Sequence, residues 1–270
     1  MRWRAETAVV RSIVCSVIIL AAGCASGPTN PKQLTHDQAA MALKSMSDVP
    51  ITPTRPILIL GGYMDPGFAA TAIEKAIRAG TSPETEIIAV SFGDCISFAQ
   101  CRQRTLRAVA QWKDREIDVI ANSMGGLVAR FSAMDAAQLE SCGMHSNSSD
   151  PAIRIHTLFT ICSPHQGALM AESGPSSELT MDMRQKSKFI ACLDHALEGA
   201  KYELICYGRT GDSIVGMDRS APVGFELRWV DTPALEFAHI GANKDPRILA
   251  DILATIRLGQ HGSVAPPPSP

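Results

Sequence analysis

Basic charge is scarce in this chain. It has 25 Lys and Arg against 27 Asp and Glu, for a formal net charge of -2. The first 23 residues hold Arg2, Arg4, Arg11 and Glu6, which leaves 22 basic against 26 acidic side chains in the rest. That balance gives no electrostatic footprint for nucleic acid. No C-x2-C pair occurs and the seven histidines are scattered, so the ligand spacing of a metal site is missing. Nothing in the sequence calls for a metal or organic cofactor. Beyond Gly23 no apolar run approaches the roughly 20 residues of a membrane-spanning helix, and there is no internal repeat. What is present is a globular balance, 46% hydrophobic and 19% charged over 270 residues. That is long enough for one substantial domain with a buried core.

The chain begins with a basic stretch, Met1-Arg2-Trp3-Arg4, followed by an apolar run from Ile13 to Ala22. The run is too short to span a bilayer and suits the core of a signal peptide. It ends in Leu20-Ala21-Ala22-Gly23-Cys24, which resembles the lipobox of bacterial lipoproteins, with Ala21 in place of the commoner Leu. The resemblance implies removal of residues 1–23 and lipidation of Cys24. It further implies export and anchoring to a membrane of the cell envelope on the periplasmic side. Residues 24–55, rich in Ser, Thr, Pro and Gln, read as a tether with a short helix around Asp37–Lys44. The tail from Gln260 or His261 to Pro270 is proline-rich and reads as disordered.

An exported compartment permits disulfides. Cys95 and Cys101 flank a short segment and are placed to close a small loop. Cys142 and Cys192 lie in polar surroundings and form a second candidate pair; the sequence leaves the connectivity open. Cys162 and Cys206 fall inside strand-like runs and read as buried thiols.

The centre of the chain is Val119-Ile120-Ala121-Asn122-Ser123-Met124-Gly125-Gly126-Leu127-Val128. A strand-like run stops at Asn122. A helical pattern then starts at once, with Leu127, Val128, Phe131 and Met134 on one face. Such a strand-to-helix turn lifts Ser123 out at the end of a sheet, while Gly125 avoids a Cβ clash with the neighbouring strand. Around it, apolar strands alternate with helical patterns. The strands are Pro56–Leu60, Glu86–Phe92, Asp118–Ala121, Ile153–Cys162, Tyr202–Tyr207 and Leu227–Val230. The helices include one reaching Ala79, one over Phe98–Trp112 and a last one opened by Asp245-Pro246-Arg247. This alternation predicts an α/β fold with a mostly parallel sheet and helices on both faces, over residues 56–260.

Four blocks together resemble the lipases and esterases of the α/β-hydrolase superfamily. They are Gly61-Gly62-Tyr63, Asn122 to Val128, Ser163-Pro164-His165-Gln166-Gly167, and His239-Ile240-Gly241 running into Asp245-Pro246-Arg247. The serine block is similar to an A-x-S-x-G variant of the nucleophile elbow, and the second to a T-P-H-x-G block. The resemblance implies a Ser, Asp, His order along the chain. It assigns Ser123 as nucleophile, Asp212 in a Gly-Asp-Ser-Ile-Val turn as acid, and His239 as base, with Asp218 the next candidate acid. It also assigns the backbone N–H groups of Tyr63 and Met124 to an oxyanion hole. His165 is placed in the floor of the site. The implied activity is serine-dependent hydrolysis of apolar or lipid-like carboxylic esters. Acyl transfer, thioester or amide cleavage on the same triad, or a non-catalytic envelope role, remain open at this point. Residues 167–198 form either a small helical lid over the acyl pocket or an ordinary crossover.

Overall fold

A computed structural model describes residues 34–144, 151–174 and 176–259. The signal-type segment 1–23, Cys24 and the tail 261–270 lie outside the described residues.

Six strands make one sheet: β1 (Ile57–Tyr63), β2 (Ile87–Phe92), β3 (Glu116–Asn122), β4 (Arg154–Ile161), β5 (Glu203–Arg209) and β6 (Leu227–Val230). Their order is β2-β1-β3-β4-β5-β6 and every pairing is parallel. A parallel sheet covered on both faces is buried throughout, which is why its strands read as continuous apolar runs rather than alternating ones. Successive residues still serve opposite faces. Leu58, Leu60, Val119 and Leu158 pack with α3 (Phe98–Ala108), α4 (Gly125–Ser132) and α8 (Lys188–Leu197). Ile57, Ile59, Ile120 and Phe159 pack with α2 (Phe68–Ala79) and α10 (Pro246–Leu258).

The chain turns one way from β1 to β2 and the other way from β2 across β1 to β3. The C-terminal ends of β1 and β3 therefore border a point where strand order reverses, the usual place for a site in an open α/β sheet.

Three expectations are revised, and one alternative left open by the sequence (the third below) is resolved. First, residues 34–55 are not a free tether: the compact unit begins at Leu34. Thr35 and Gln38 form a capping box for α1 (His36–Asp48), which packs along α10. The Arg257 guanidinium donates to the carbonyl of Val49 at 2.9 Å, and Ile51 bridges Thr81 beyond α2. The apolar face of α1 is thin, made by Ala39, Leu43 and Met46, which is why the sequence pattern undersells it.

Second, the helix expected over Phe98–Trp112 stops at Ala108, and a 3-10 turn carries Ala110–Trp112. There the Trp112 indole N–H donates to Glu86 at 2.9 Å.

Third, the segment 167–198 is no lid along most of its length. It forms α6 (Leu169–Ser173), α7 (Glu178–Asp182) and α8. Phe189, Ile190 and Leu193 of α8 are buried, and Phe189 stacks on Phe98 with centroids 4.1 Å apart. The apolar residues thus face the core, as in a crossover helix.

Fourth, Cys95 and Cys101 do not close a loop: both are free thiols. The helix that starts at Phe98 puts Cys101 on its core-facing stripe with Phe98, Arg102 and Thr105, so the thiol is a packing group. Burial, and then the adjacent Cys95, push the Cys101 thiol up. The disulfide is Cys142–Cys192, joining the end of α5 (Ala136–Ser141) to α8.

Candidate active site

The elbow is built by two glycines and one strained serine. Ser123 has φ of 54°, a left-handed conformation that non-glycine residues adopt only where the surroundings enforce it. Its N–H donates to the carbonyl of Ile161 at 2.8 Å, which ties the turn to β4. A Cβ on Gly125 would meet the carbonyl oxygen of Gly61 at 2.5 Å and that of Leu60 at 2.9 Å. A Cβ on Gly126 would overlap the Ser163 side chain. Only glycine lets α4 approach β1 and the post-β4 loop this closely.

Ser123, His239 and Asp212 lie on one line of hydrogen bonds. His239 Nε2 is 2.9 Å from Ser123 Oγ, and its Nδ1 is 2.8 Å from Asp212 Oδ2. The other Asp212 oxygen accepts the amides of Ile214 at 2.9 Å and Val215 at 3.0 Å. Burial alone would raise the Asp212 carboxyl. The hydrogen bond and charge of His239, with those two amides, outweigh it and hold the group below the usual carboxylate range. An ionised Asp212 can only accept, so His239 Nδ1 carries the proton and Nε2 faces the serine hydroxyl as acceptor. His239 sits on α9 (Ala238–Gly241), a single turn after β6. The backbone carbonyl of Asp218, the other candidate acid, accepts from the Gln166 side-chain amide.

The Gly61-Gly62-Tyr63 stretch ends β1 beside the serine. A Cβ on Gly62 would lie 3.1 Å from Ser123 Cβ and 3.6 Å from its Oγ. Tyr63 follows, then Met64 with φ of 53°. Asp65 caps the next helix, accepting from the amides of Gly67 at 3.0 Å and Ala69 at 3.1 Å. Met124 stands at the head of α4, where first-turn amides and the positive dipole end face the serine.

His165 is fully buried behind the elbow helix rather than lining the substrate side. Its Nδ1 is 3.1 Å from the Arg130 guanidinium and its Nε2 is 3.0 Å from Thr160 Oγ1. Arginine only donates, so Nδ1 accepts and Nε2 holds the proton. Burial, and then Arg130, drive its pKa well below the ordinary value, so the ring is neutral.

Two further groups border the triad: Arg209, which sequence pattern did not single out, and Cys162, read there only as a buried thiol. Arg209, at the end of β5 and 1% exposed, donates to Glu236 at 2.9 Å and to the Ala238 carbonyl at 3.2 Å, and lies 3.2 Å from Asp245. Cys162, with φ of 48° at the end of β4, has its sulfur within 4.8 Å of donor atoms of both Asp212 and His239. An arginine inside a strand ending and a cysteine inside an apolar run carry no local signal of these partners.

An all-parallel sheet in the order 2-1-3-4-5-6 with a serine elbow after its third strand decides the architecture. The fold is that of the α/β hydrolases. Phospholipase PlaB of Legionella pneumophila superposes with a TM-score of 0.52 at 10% identity, over 76% of this chain and 60% of that one. The chain thus spans about 60% of the phospholipase's length. The lipase BlEst2 of Bacillus licheniformis has a TM-score of 0.49 at 11% identity, covering 78% and 93%. An esterase domain from Rhodothermus marinus has 0.47 at 13%, covering 77% and 90%. At these identities the likeness is one of fold. No protein-family model matches the sequence, and no curated protein matches it.

Proposed function

We propose that the chain is a serine hydrolase of carboxylic esters with apolar or lipid-like acyl groups, exported to the cell envelope. The observation that carries this reading is the line Ser123–His239–Asp212, with hydrogen bonds of 2.9 and 2.8 Å. In the proposed reaction His239 Nε2 takes the hydroxyl proton as Ser123 Oγ attacks the ester carbonyl. Asp212 holds the ring in its Nδ1–H tautomer and stabilises the imidazolium that forms. The amides of Tyr63 and Met124 receive the oxyanion, each such donor lowering the barrier by roughly 3 kcal/mol. The imidazolium then returns its proton to the departing alkoxide, and the alcohol leaves. Water, deprotonated by the same nitrogen, cleaves the acyl-enzyme and restores the serine.

The apolar rim supports an apolar substrate. Met64, Phe68, Leu235, Phe237 and Ile240 are all exposed, Phe68 at 81% and Leu235 fully. They belong to the loops and short helices that follow β1 and β6, on the same side as Ser123 and His239. Large apolar side chains exposed on the side of the sheet that carries the serine suit contact with an apolar substrate. The Cys142–Cys192 bond fits an oxidising compartment and supports export. Lipidation of Cys24 and membrane anchoring on the periplasmic side are part of the same proposal.

The test is hydrolysis of a p-nitrophenyl ester series, short to long acyl, by the protein and by Ser123→Ala. Activity abolished in the variant, together with fluorophosphonate labelling of the unmutated protein alone, is the expected result. A folded protein that neither hydrolyses any ester nor takes up the probe would overturn it. Incorporation of labelled palmitate, lost in Cys24→Ser, checks the anchor.

A further inference from the structure

Cys162, Asp212 and His239 place a thiol, a carboxylate and an imidazole together, with their donor atoms all within 4.8 Å of one another. Sulfur, oxygen and nitrogen are the three donor types that zinc takes from proteins, and three protein ligands with an open fourth position is a stable arrangement for it. We propose that this cluster is a regulatory site for a thiophilic divalent cation, Zn²⁺ being the natural member of the class, and that occupying it switches the hydrolase off. The inhibitory part rests on the function proposed above.

The geometry is more specific than a chance trio. Cys162 is held by its left-handed backbone and by its N–H donating to the Tyr207 carbonyl at 2.8 Å. That fixes the thiol against the Asp212 loop. Asp212 is anchored by two amides through Oδ1, so Oδ2, which accepts from His239 Nδ1 at 2.8 Å, turns to the metal once that proton has moved. His239 rides on the one-turn α9, with exposed Leu235 and Phe237 just before it. In a tetrahedral zinc shell, with bonds of about 2.0–2.3 Å, ligand atoms stand roughly 3.3–3.7 Å apart. The shift required is on the order of 1 Å, which rotation of the His239 side chain supplies while Arg209 keeps its backbone in place. Charge also closes: a thiolate and a carboxylate neutralise a dication, while the neighbouring Arg209 is already matched by Glu236 and Asp245.

The balance of the step is simple. The Cys162 S–H proton leaves to solvent as the Zn–S bond forms. The His239 proton moves from Nδ1 to Nε2 through solvent, freeing Nδ1 to bind the metal. No electrons are transferred. A ring protonated on Nε2 can no longer accept from Ser123 Oγ, so the base is blocked without the serine being touched.

Cys162 has no part in the hydrolytic steps, so its replacement separates regulation from chemistry. Cys162→Ser removes the soft donor; Cys162→Gly does so while also relieving the positive φ, and guards against a variant that fails to fold. Two readouts are compared on the full protein. One is inhibition of ester hydrolysis by added Zn²⁺. The other is the ultraviolet thiolate-to-metal band on adding Cd²⁺, taken as the difference between protein and variant because the adjacent Cys95 and Cys101 thiols add a band of their own. The expected result is a Cd²⁺ band and Zn²⁺ inhibition that both vanish in the variants. The loss should exceed the roughly 10–100-fold weakening that follows removal of a mere outer-shell partner. A Zn²⁺ response unchanged in both variants, or no Cd²⁺ difference between protein and variant, overturns the site. If the protein proves to have no esterase activity, the Cd²⁺ difference still reads the site, so the two proposals fail separately.

Discussion

Arg209 donates to the carbonyl of Ala238, the residue immediately before His239, at 3.2 Å. The same guanidinium reaches Glu236 two residues earlier and Asp245, which caps α10. Three points of the loop that presents the imidazole are thereby fastened to the end of β5, three residues before Asp212. Acid and base of the candidate triad are held in register by one buried side chain.

Substitution of Arg209 should therefore act on turnover. Arg209→Lys keeps the charge but loses the planar fork. We expect kcat to fall by on the order of 100-fold, as for other displacements of about 1 Å, with KM little changed. Arg209→Met takes the buried donor from Glu236 and from the Ala238 carbonyl, while Asp245 keeps Arg247, and should cost about 1–3 kcal/mol of stability. Steady-state kinetics and urea unfolding distinguish the two. A change in KM alone would refute the positioning role.

Gly125→Ala tests the elbow itself. The added methyl meets backbone carbonyl oxygens of Gly61 and Leu60, which cannot rotate away. Overpacking of this kind costs about 1–3 kcal/mol. Because the strain falls between Ser123 and the Gly61-Gly62-Tyr63 stretch, turnover should drop further than the fraction unfolded explains. Activity measured alongside the urea midpoint checks this.

Burial makes His165 a source of acid sensitivity. Its folded-state pKa lies well below the ordinary value, so between the two the unfolded chain binds the extra proton. Stability from this group is complete above about pH 6.5 and falls by about 1.4 kcal/mol per unit below it. His165→Gln should flatten that part of the stability–pH curve. Chemical denaturation from pH 7.5 down to 5 reads the slope, and an unchanged slope in the variant would sink the assignment.

The Cys142–Cys192 bond closes a span of 50 residues. The chain-entropy relation gives about 4 kcal/mol for such a loop, and 2–4 is typical. Replacing both cysteines by serine should lower the unfolding free energy by that amount while leaving the triad distances intact. Thermal melts with and without a reductant give the comparison. A reductant should not affect the variant.

The strands and the elbow were legible because burial on both faces writes apolar runs, and because a sharp turn demands small residues at fixed offsets. Ser123, Asp212 and His239 were named from an elbow, a turn after a strand and a histidine before the last helix, read through the Ser, Asp, His order that the resemblance implies. What the sequence hid was long-range. Arg209 finds its partners 27 to 36 residues away, and no periodicity records which carboxylates a buried arginine will meet. The role of α8 was ambiguous because apolar residues at 189, 190 and 193 suit a lid and a crossover equally. Only the ring of Phe98 beneath Phe189 separates the two. The cysteine pairing was hidden for the same reason: Cys95 and Cys101 are neighbours in sequence, yet a helix start between them turns both inward.

Three strands meet at the mouth of the site, and each ends in a residue forced left-handed: Met64 after β1, Ser123 after β3 and Cys162 after β4. Each such residue stores about 1–3 kcal/mol, and all three stand along the C-terminal edge of three adjacent central strands. The rest of the sheet carries no comparable tension among its described residues. Heat should therefore release this edge before it dissolves the core. The molecule would then forget its chemistry while still holding its shape, and regain it on cooling.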